Sequence, residues 1–286
     1  MKFKLFMGIA FVVILFSSVF LVTAINSNKV YAQNGADVFL KSITRIPGGA
    51  VFHSPSGVAL DTSGHIYVAD ANNYRVAEFS NSSTFIASFG TLGLGELNTT
   101  SGVAVDTSGN VYAADTDHNR IVEFYNNGTF IKSFSNGLSF PSGVAVDTSG
   151  NVYAADTDNN RIIEFNNRTG NFVASFGSGT LSSPSGVAVD TSGNVYAADT
   201  DNNRIIEFNN RTGNFVASFG SGTLSSPSGV AVDTSGNVYA ADTGNNRIIE
   251  FNNRTGNFVA SFGSGTLSSP SGVAVDTSGN VYAADT

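Results

Sequence analysis

Three residue sets in this chain of 286 have types and spacings suited to chemistry: the histidines His53, His65 and His118, a recurring Asp-Thr-Asp-Asn-Asn-Arg loop, and six Asn-X-Ser/Thr sequons. Histidines would supply metal ligands or an acid–base pair. Here His65 stands where related segments have Asn110, Asn151 and Asn194, His118 stands where they have Asn159 and Asn202, and His53 replaces Ser139 and Ser182. They are substitutions at turn positions, so no metal centre is expected. The loops Asp156 to Arg161 and Asp199 to Arg204 present oxygens at alternate positions, as a calcium loop does. An EF-hand loop needs Gly at its sixth position and an acid at its twelfth, and the first loop has Arg161 and Asn167 there. Calcium is therefore a secondary reading, and no cofactor is expected.

The same loops offer a structural alternative. An acid and an arginine five residues apart recur as Asp70/Arg75, Asp115/Arg120, Asp156/Arg161, Asp199/Arg204 and Asp242/Arg247, flanking one hairpin where they can pair or cap its backbone. As loop residues, Asp115, Arg120, Asp156, Arg161, Asp199, Asp201, Arg204, Asp242 and Arg247 are also the candidates for contacting a partner. The sequons at Asn81, Asn98, Asn127, Asn167, Asn210 and Asn253 are candidate glycosylation sites in an exported protein, and equally good turn formers.

These residues are positioned by a repeat. The 43 residues Pro184 to Ser226 stand unchanged upstream as Pro141 to Ser183, and downstream as Pro227 to Ser269 with one difference, Gly244. A repeat that cannot bury its own faces must stack on its neighbours. Within a unit, Gly186 to Asp190, Asn194 to Asp199, Arg204 to Phe208 and Asn214 to Phe219 have strand composition, separated by turn residues such as Thr191-Ser-Gly193 and Asn210-Arg-Thr-Gly213. A four-stranded antiparallel meander follows, with small residues crowding its first two strands as sheets converging on an axis require. Phe215, Ala217 and Phe219 are expected on one face of the outer strand. Four strands per 40–45 residues is the pattern of a β-propeller blade, and no run has the helical period to span a repeat.

The pattern P-S-G-V-A-V-D-x-S-G-N-V-Y-A-A-D-x-x-N-N-R-I-x-E-F, followed by a hairpin and F-V-A-S-F-G, resembles the NHL repeat of six-bladed propellers over about residues 36–286. The Trp-Asp ending of WD40 blades is missing, and the chain has no Trp. The resemblance implies an all-β fold, a six-bladed β-propeller of four-stranded antiparallel blades. Glycines at 57, 102, 143, 186, 229 and 272, spaced 45, 41, 43, 43 and 43 apart, would anchor those blades. Residues Ala36 to Thr44 align with a fourth strand, so the N-terminus is expected to close the last blade. The repeats stop at Thr286 after two strands of that blade. Its third strand is counted as missing, the last blade is expected to be incomplete, and the chain is read as cut within its repeats.

Lys2 and Lys4 precede an uncharged run from Leu5 to Ile25, and Val30-Tyr31-Ala32 offers small residues before Gln33, so residues 1–32 read as a signal peptide or signal anchor and 33–286 as the propeller. The protein is expected to be secreted or on the cell surface, with membrane contact only through an uncleaved N-terminal segment. Without residues 1–32 it carries eleven basic against 22 acidic residues, a net charge of −11 that repels phosphate backbones, so nucleic acid is not an expected partner. With no cysteine, the fold relies on its core alone.

Catalysis needs unlike groups in fixed roles. Blades three to five present the same side chains, and individuality is concentrated in residues 36–140, including Tyr74, Leu94, Glu96 and Phe140. The expected function is a non-catalytic binding scaffold for a protein or surface glycan, with contacts from loops such as Asp199 to Arg204 and Gly220 to Ser226. The alternatives are a metal-dependent propeller enzyme, a lyase or lactone hydrolase, which the related amidating lyase with its zinc-binding histidines suggests, and the sensor ectodomain of a larger receptor.

Overall fold

The computed structural model describes residues 29–34, 38–43, 51–91 and 93–286. The leader expected at residues 1–32 lies outside them, apart from its last four residues. Strands β1 (Lys29–Asn34) and β2 (Val38–Ser42) precede five meanders. The first is β3 (Pro55–Leu60), β4 (Ile66–Asp70), β5 (Arg75–Phe79) and β6 (Phe85–Phe89), and the second is β7 (Thr100–Val105), β8 (Val111–Asp115), β9 (Arg120–Phe124) and β10 (Phe130–Phe134). The third is β11 (Pro141–Val146), β12 (Val152–Asp156), β13 (Arg161–Phe165) and β14 (Phe172–Phe176), and the fourth β15 (Pro184–Val189), β16 (Val195–Asp199), β17 (Arg204–Phe208) and β18 (Phe215–Phe219). The fifth is β19 (Val230–Val232), β20 (Val238–Asp242), β21 (Arg247–Phe251) and β22 (Phe258–Phe262); β23 (Pro270–Val275) and β24 (Val281–Asp285) follow. Each meander is a four-stranded antiparallel sheet in sequence order, and the whole is an all-β propeller.

β23 and β24 are the two-stranded start of a blade that the sequence leads one to expect. β1 and β2 pair onto them in the order β2-β1-β24-β23, so the place counted as missing is taken by Lys29–Asn34. The strand count is corrected accordingly. Its physical basis is the register, which sets Lys29 opposite Asp285 as Arg204 is set opposite Asp199.

Glycine dictates how closely the first strands approach. A Cβ at Gly186 would lie 2.5 Å from Ser228 O and 3.0 Å from Val230 N, and the same contact recurs from Gly57 against Ser101 O round to Gly272 against Ser56 O. Ser185 Oγ donates to Ser228 O at 2.9 Å across this seam, and Ser228 Oγ to Ser271 O at 2.8 Å. The Ser-Gly-Val triplets of the first strands surround a channel constriction of about 80 Å3 that holds no titratable side chain.

The second strands are buried on both faces because a neighbouring sheet covers each, which suits the run Val-Tyr-Ala-Ala. Between successive sheets the core repeats. Phe176, Leu181, Tyr153 and Ile162 pack with Val195, Ile206 and Phe208, the Phe176 and Phe208 rings lying 6.4 Å apart. Each such side chain contributes about 1.5–3 kcal/mol on burial. The outermost strand breaks the alternation expected of it. Phe219 is buried, but a register shift between Glu207 and Phe208 turns Phe215 outward, leaving it 56% exposed.

Gly186→Ala forces Cβ against backbone rather than a movable side chain. It is expected to destabilise the protein by about 2 kcal/mol, the range of overpacking substitutions, with the loss read from urea unfolding midpoints.

Candidate functional site

The meander sorts the candidate residues onto two ends. Turns from the second strand to the third share one end with the loops that lead into each first strand. The hairpins between first and second strands and between third and fourth strands occupy the other.

At the first end the Asp/Arg pairs form. Asp199 is fully buried; its Oδ2 accepts from Arg204 Nε at 2.7 Å, and its Oδ1 accepts from Ser182 N at 2.7 Å and Asn202 Nδ2 at 3.0 Å. Asp70, Asp115, Asp156 and Asp242 repeat the arrangement with Arg75, Arg120, Arg161 and Arg247. The remaining Arg N–H groups reach back to the lead-in loop, Arg161 Nη2 to Gly137 O at 2.9 Å and Arg204 Nη2 to Thr180 O at 3.2 Å. The oxygens that a calcium loop would need are held by protein donors. Asp201 is different: it is exposed, and its Oδ2 accepts from Ser183 Oγ at 2.6 Å.

After each second strand a 3₁₀ turn ends on a residue with positive φ: Asn119, Asn160, Asn203 and Asn246, but Tyr74 in the first meander. These asparagines cap the next blade, Asn119 Oδ1 accepting from Phe140 N and Asn160 Oδ1 from Ser183 N, both at 2.7 Å. The capped position also has positive φ and carries Ser54, Thr99, Ser183, Ser226 and Ser269 elsewhere, but Phe140 (φ 54°) in the third meander. Left-handed backbone is tolerated by Asn and strained for a bulky aromatic. Both aromatics are about half exposed, Tyr74 50% and Phe140 47%, and Val51 and Leu94 (82%) are exposed on the same end. Bonds from the turns hold the lead-in loops that carry Val51 and Leu94. Asn73 Nδ2 donates to Val51 O at 2.9 Å, and Arg120 Nη2 to Glu96 O at 2.7 Å.

At the opposite end lies a device that the sequence reading missed. Asp190 Oδ1 accepts two backbone N–H groups of its turn at 2.8 Å, from Ser192 and Asn194, while Oδ2 takes Asn194 Nδ2 at 2.9 Å and Tyr196 Oη at 3.3 Å. The tyrosines face a glutamate of the third strand as well, Tyr67 Oη donating to Glu78 Oε1 and Tyr112 Oη to Glu123 Oε1 at 3.0 Å each. Burial, then the nearby carboxylate charges, push these tyrosines above their ordinary range, and burial raises the pKa of Glu164, Glu207 and Glu250. The signal was present as an acid inside the apolar run Arg-Ile-Ile-Glu-Phe. In the first meander His65 joins the group, with Nδ1 3.1 Å from Glu78 Oε1 and 3.4 Å from Asp61 Oδ2. His118 Nδ1 meets Asp115 Oδ2 at 3.0 Å on the other end, so the histidines do not converge. Among the described residues no group of three or more His, Asp or Glu is arranged to hold a metal ion.

Sequon Asn81, Asn127 and Asn253 are exposed, and Asn98 and Asn210 are half-buried. Asn167 is half-buried too, and its Nδ2 donates to Tyr112 Oη at 2.8 Å, which occupies the atom that a glycan would need. A cavity of about 380 Å3 lies between the β3–β4 and β23–β24 turns, lined by Asp61, Asn81, Asp276, Asn280 and Tyr282. It sits beside the blade where the residue in register with the tyrosine is Ala32 rather than a glutamate.

Residues 52–79, 97–124, 138–165, 181–208 and 224–251 match the NHL repeat model, each match running from a lead-in loop to the end of a third strand. The chain belongs to the NHL repeat family. No curated protein sequence matches it. Among solved structures this NHL propeller is similar to a chain of a nidogen/laminin complex, with 18% identity, a TM-score of 0.66, and 82% of this chain and 91% of that one covered. A streptogramin B lyase aligns at 12% identity and TM-score 0.62, covering 90% of this chain and 98% of that one. Virginiamycin B lyase from Staphylococcus aureus aligns at 15% and 0.59, covering 77% and 74%. At these identities the likeness is one of fold.

Two outcomes follow for this NHL propeller. Arg204→Ala leaves a buried carboxylate without its cation and should cost about 3 kcal/mol in chemical denaturation. Because Glu207 has a raised pKa, its contribution to stability is complete below its ordinary value of 4.5 and is lost as pH rises through the raised value. Glu207→Gln should therefore gain on wild type as pH increases above 4.5 in a series of thermal melts, and parallel curves would contradict the assignment.

Proposed function

We propose that this NHL protein is an exported six-bladed propeller that acts as a non-catalytic scaffold and docks a protein partner on the end formed by the lead-in loops and the turns after the second strands. Six blades are supported by the close approach that runs from Gly57 to Gly272 and returns to Ser56. The observation that carries the docking end is the pair Tyr74 and Phe140, exposed aromatics held in left-handed backbone where the other blades have Asn and Ser or Thr. Backbone strain without a packing return marks a site kept for another purpose. Aromatics are also the side chains that most often anchor protein interfaces.

Val51 and Leu94 are further exposed apolar residues on this end, and Glu96, Asp117, Asp158 and Asp201 are exposed acids there, so a partner with apolar and basic groups fits. The nidogen-like fold in a complex with laminin is a precedent for protein binding by such a propeller. The enzyme alternative draws on the lyases of the same fold. Against it, the channel constriction has Ser, Gly and Val for lining and the histidines are divided between the two ends. Glycan, on this reading, is carried at the far end on exposed Asn127 and Asn253, clear of the docking face.

The test restores the repeat residues. Tyr74→Asn with Phe140→Ser relieves two strained positions and returns a cap acceptor for Thr99 N, so stability should rise by about 1 kcal/mol. A photo-crosslinking side chain at Leu94 should capture extracellular protein from wild type and not from the double variant, whereas one at Phe215, on the outer strand, should capture none. Equal capture from both positions, or capture unaffected by the double variant, would end the proposal.

A further inference from the structure

The strand β1 has a consequence for how the exported chain is made, and this inference rests on the export reading above. In the other blades the register sets an arginine opposite the aspartate that ends the second strand, as in Asp70 with Arg75 and Asp242 with Arg247. In the last blade Lys29 takes that place opposite Asp285, which is buried and accepts Ser268 N at 2.6 Å. Val30 then stands opposite Ala284, where the other third strands carry Ile or Val. A cation, a β-branched residue and the correct register together mark Lys29–Asn34 as a built third strand.

A cut after Ala32 would remove Lys29, Val30, Tyr31 and Ala32, four of the five residues paired with β24. β24 would then present an unpaired backbone edge, although all five of its residues are buried. The sequence holds a second junction with small residues at the −3 and −1 positions, Val22-Thr23-Ala24, directly after the apolar run that begins at Leu5. It defines a leader of 24 residues, within the usual span of about 15–30, whereas the Ala32 junction exceeds it.

We propose that the leader is removed between Ala24 and Ile25, so that the mature protein keeps β1 as the third strand of its last blade. The step is hydrolysis by a leader peptidase of the export machinery. Water adds across the Ala24–Ile25 peptide bond, the leader departs with the Ala24 carboxylate, and Ile25 gains the new ammonium group. Asn26, Ser27 and Asn28 then precede Lys29 in the mature sequence.

The experiment expresses the full chain with its own N-terminus in a secreting host and reads the intact mass and N-terminal sequence of the extracellular protein. A chain beginning at Ile25 is expected. Extracellular protein beginning at Gln33, or full-length chain held at the membrane, overturns this inference and leaves the export reading standing. Protein that stays in the cytoplasm with residue 1 in place overturns the export reading and this inference with it. Ala24→Arg should abolish release at this junction, and continued release with Ile25 first would overturn the assignment. In the purified protein Lys29→Glu places like charges opposite each other and should lower the melting temperature by roughly 5 °C. An unchanged melting temperature would show that β1 does not hold β24, and the case for keeping it would fall.

Discussion

A buried aspartate at the end of each second strand is the constraint on which the rest of this propeller depends. Such a carboxylate is stable away from water only if its lone pairs are filled by donors. Asp199 fills them from three directions: the Ser182 backbone of the lead-in loop, Asn202 in the 3₁₀ turn, and Arg204 at the start of the third strand. One side chain therefore fixes where the chain enters a blade, how it turns, and where the next strand starts. The register of the second and third strands follows, since Asp199 and Arg204 are its last paired residues. In the last blade the strand register that follows from this geometry is kept by β1, whose Lys29 is paired in backbone register with Asp285.

At the other end the Asp-Tyr-Glu groups use different physics. Asp190 organises a tight turn through backbone N–H groups, which is inexpensive and local. The glutamate is a cost, for it is nearly buried and its neighbour is a tyrosine hydroxyl shared with another carboxylate. Burial raises the glutamate pKa, and the hydrogen bond from the tyrosine hydroxyl offsets only part of that rise. These buried glutamates are most comfortable when protonated.

The fold was legible because a near-exact repeat turns one local pattern into a global one. The strands of the Pro184 to Ser226 unit fall within a residue or two of their expected limits, and the Asp/Arg pairs follow from spacing alone. Two features of the strand arrangement escaped for physical reasons. Lys29–Asn34 has strand character only through its partner, since Lys29 gains meaning opposite Asp285, 256 positions away. Phe215 departs from alternation because a bulge lies between it and Phe219, and bulges leave little trace in composition. On the candidate docking end the residue types of Tyr74 and Phe140 were visible as departures from the repeat. Their left-handed backbone was not, because it is imposed by the turn in which they replace Asn and Ser.

That replacement shows how a repetitive propeller can hold an individual site. Stability in such an array is close to a sum over units and their interfaces, so a local penalty stays local. The later blades keep Asn at the turn and Ser at the lead-in, with the cap intact from Asn160 to Ser183 and from Asn203 to Ser226. The strain of Tyr74 and Phe140 is carried by a body whose other seams are unaltered. In a fold with one undivided core the same two residues would disturb every layer packed on them. Here they project from the rim of blades whose buried residues are nearly the same as those of their neighbours, so the departure from the repeat reaches the surface without reaching the core.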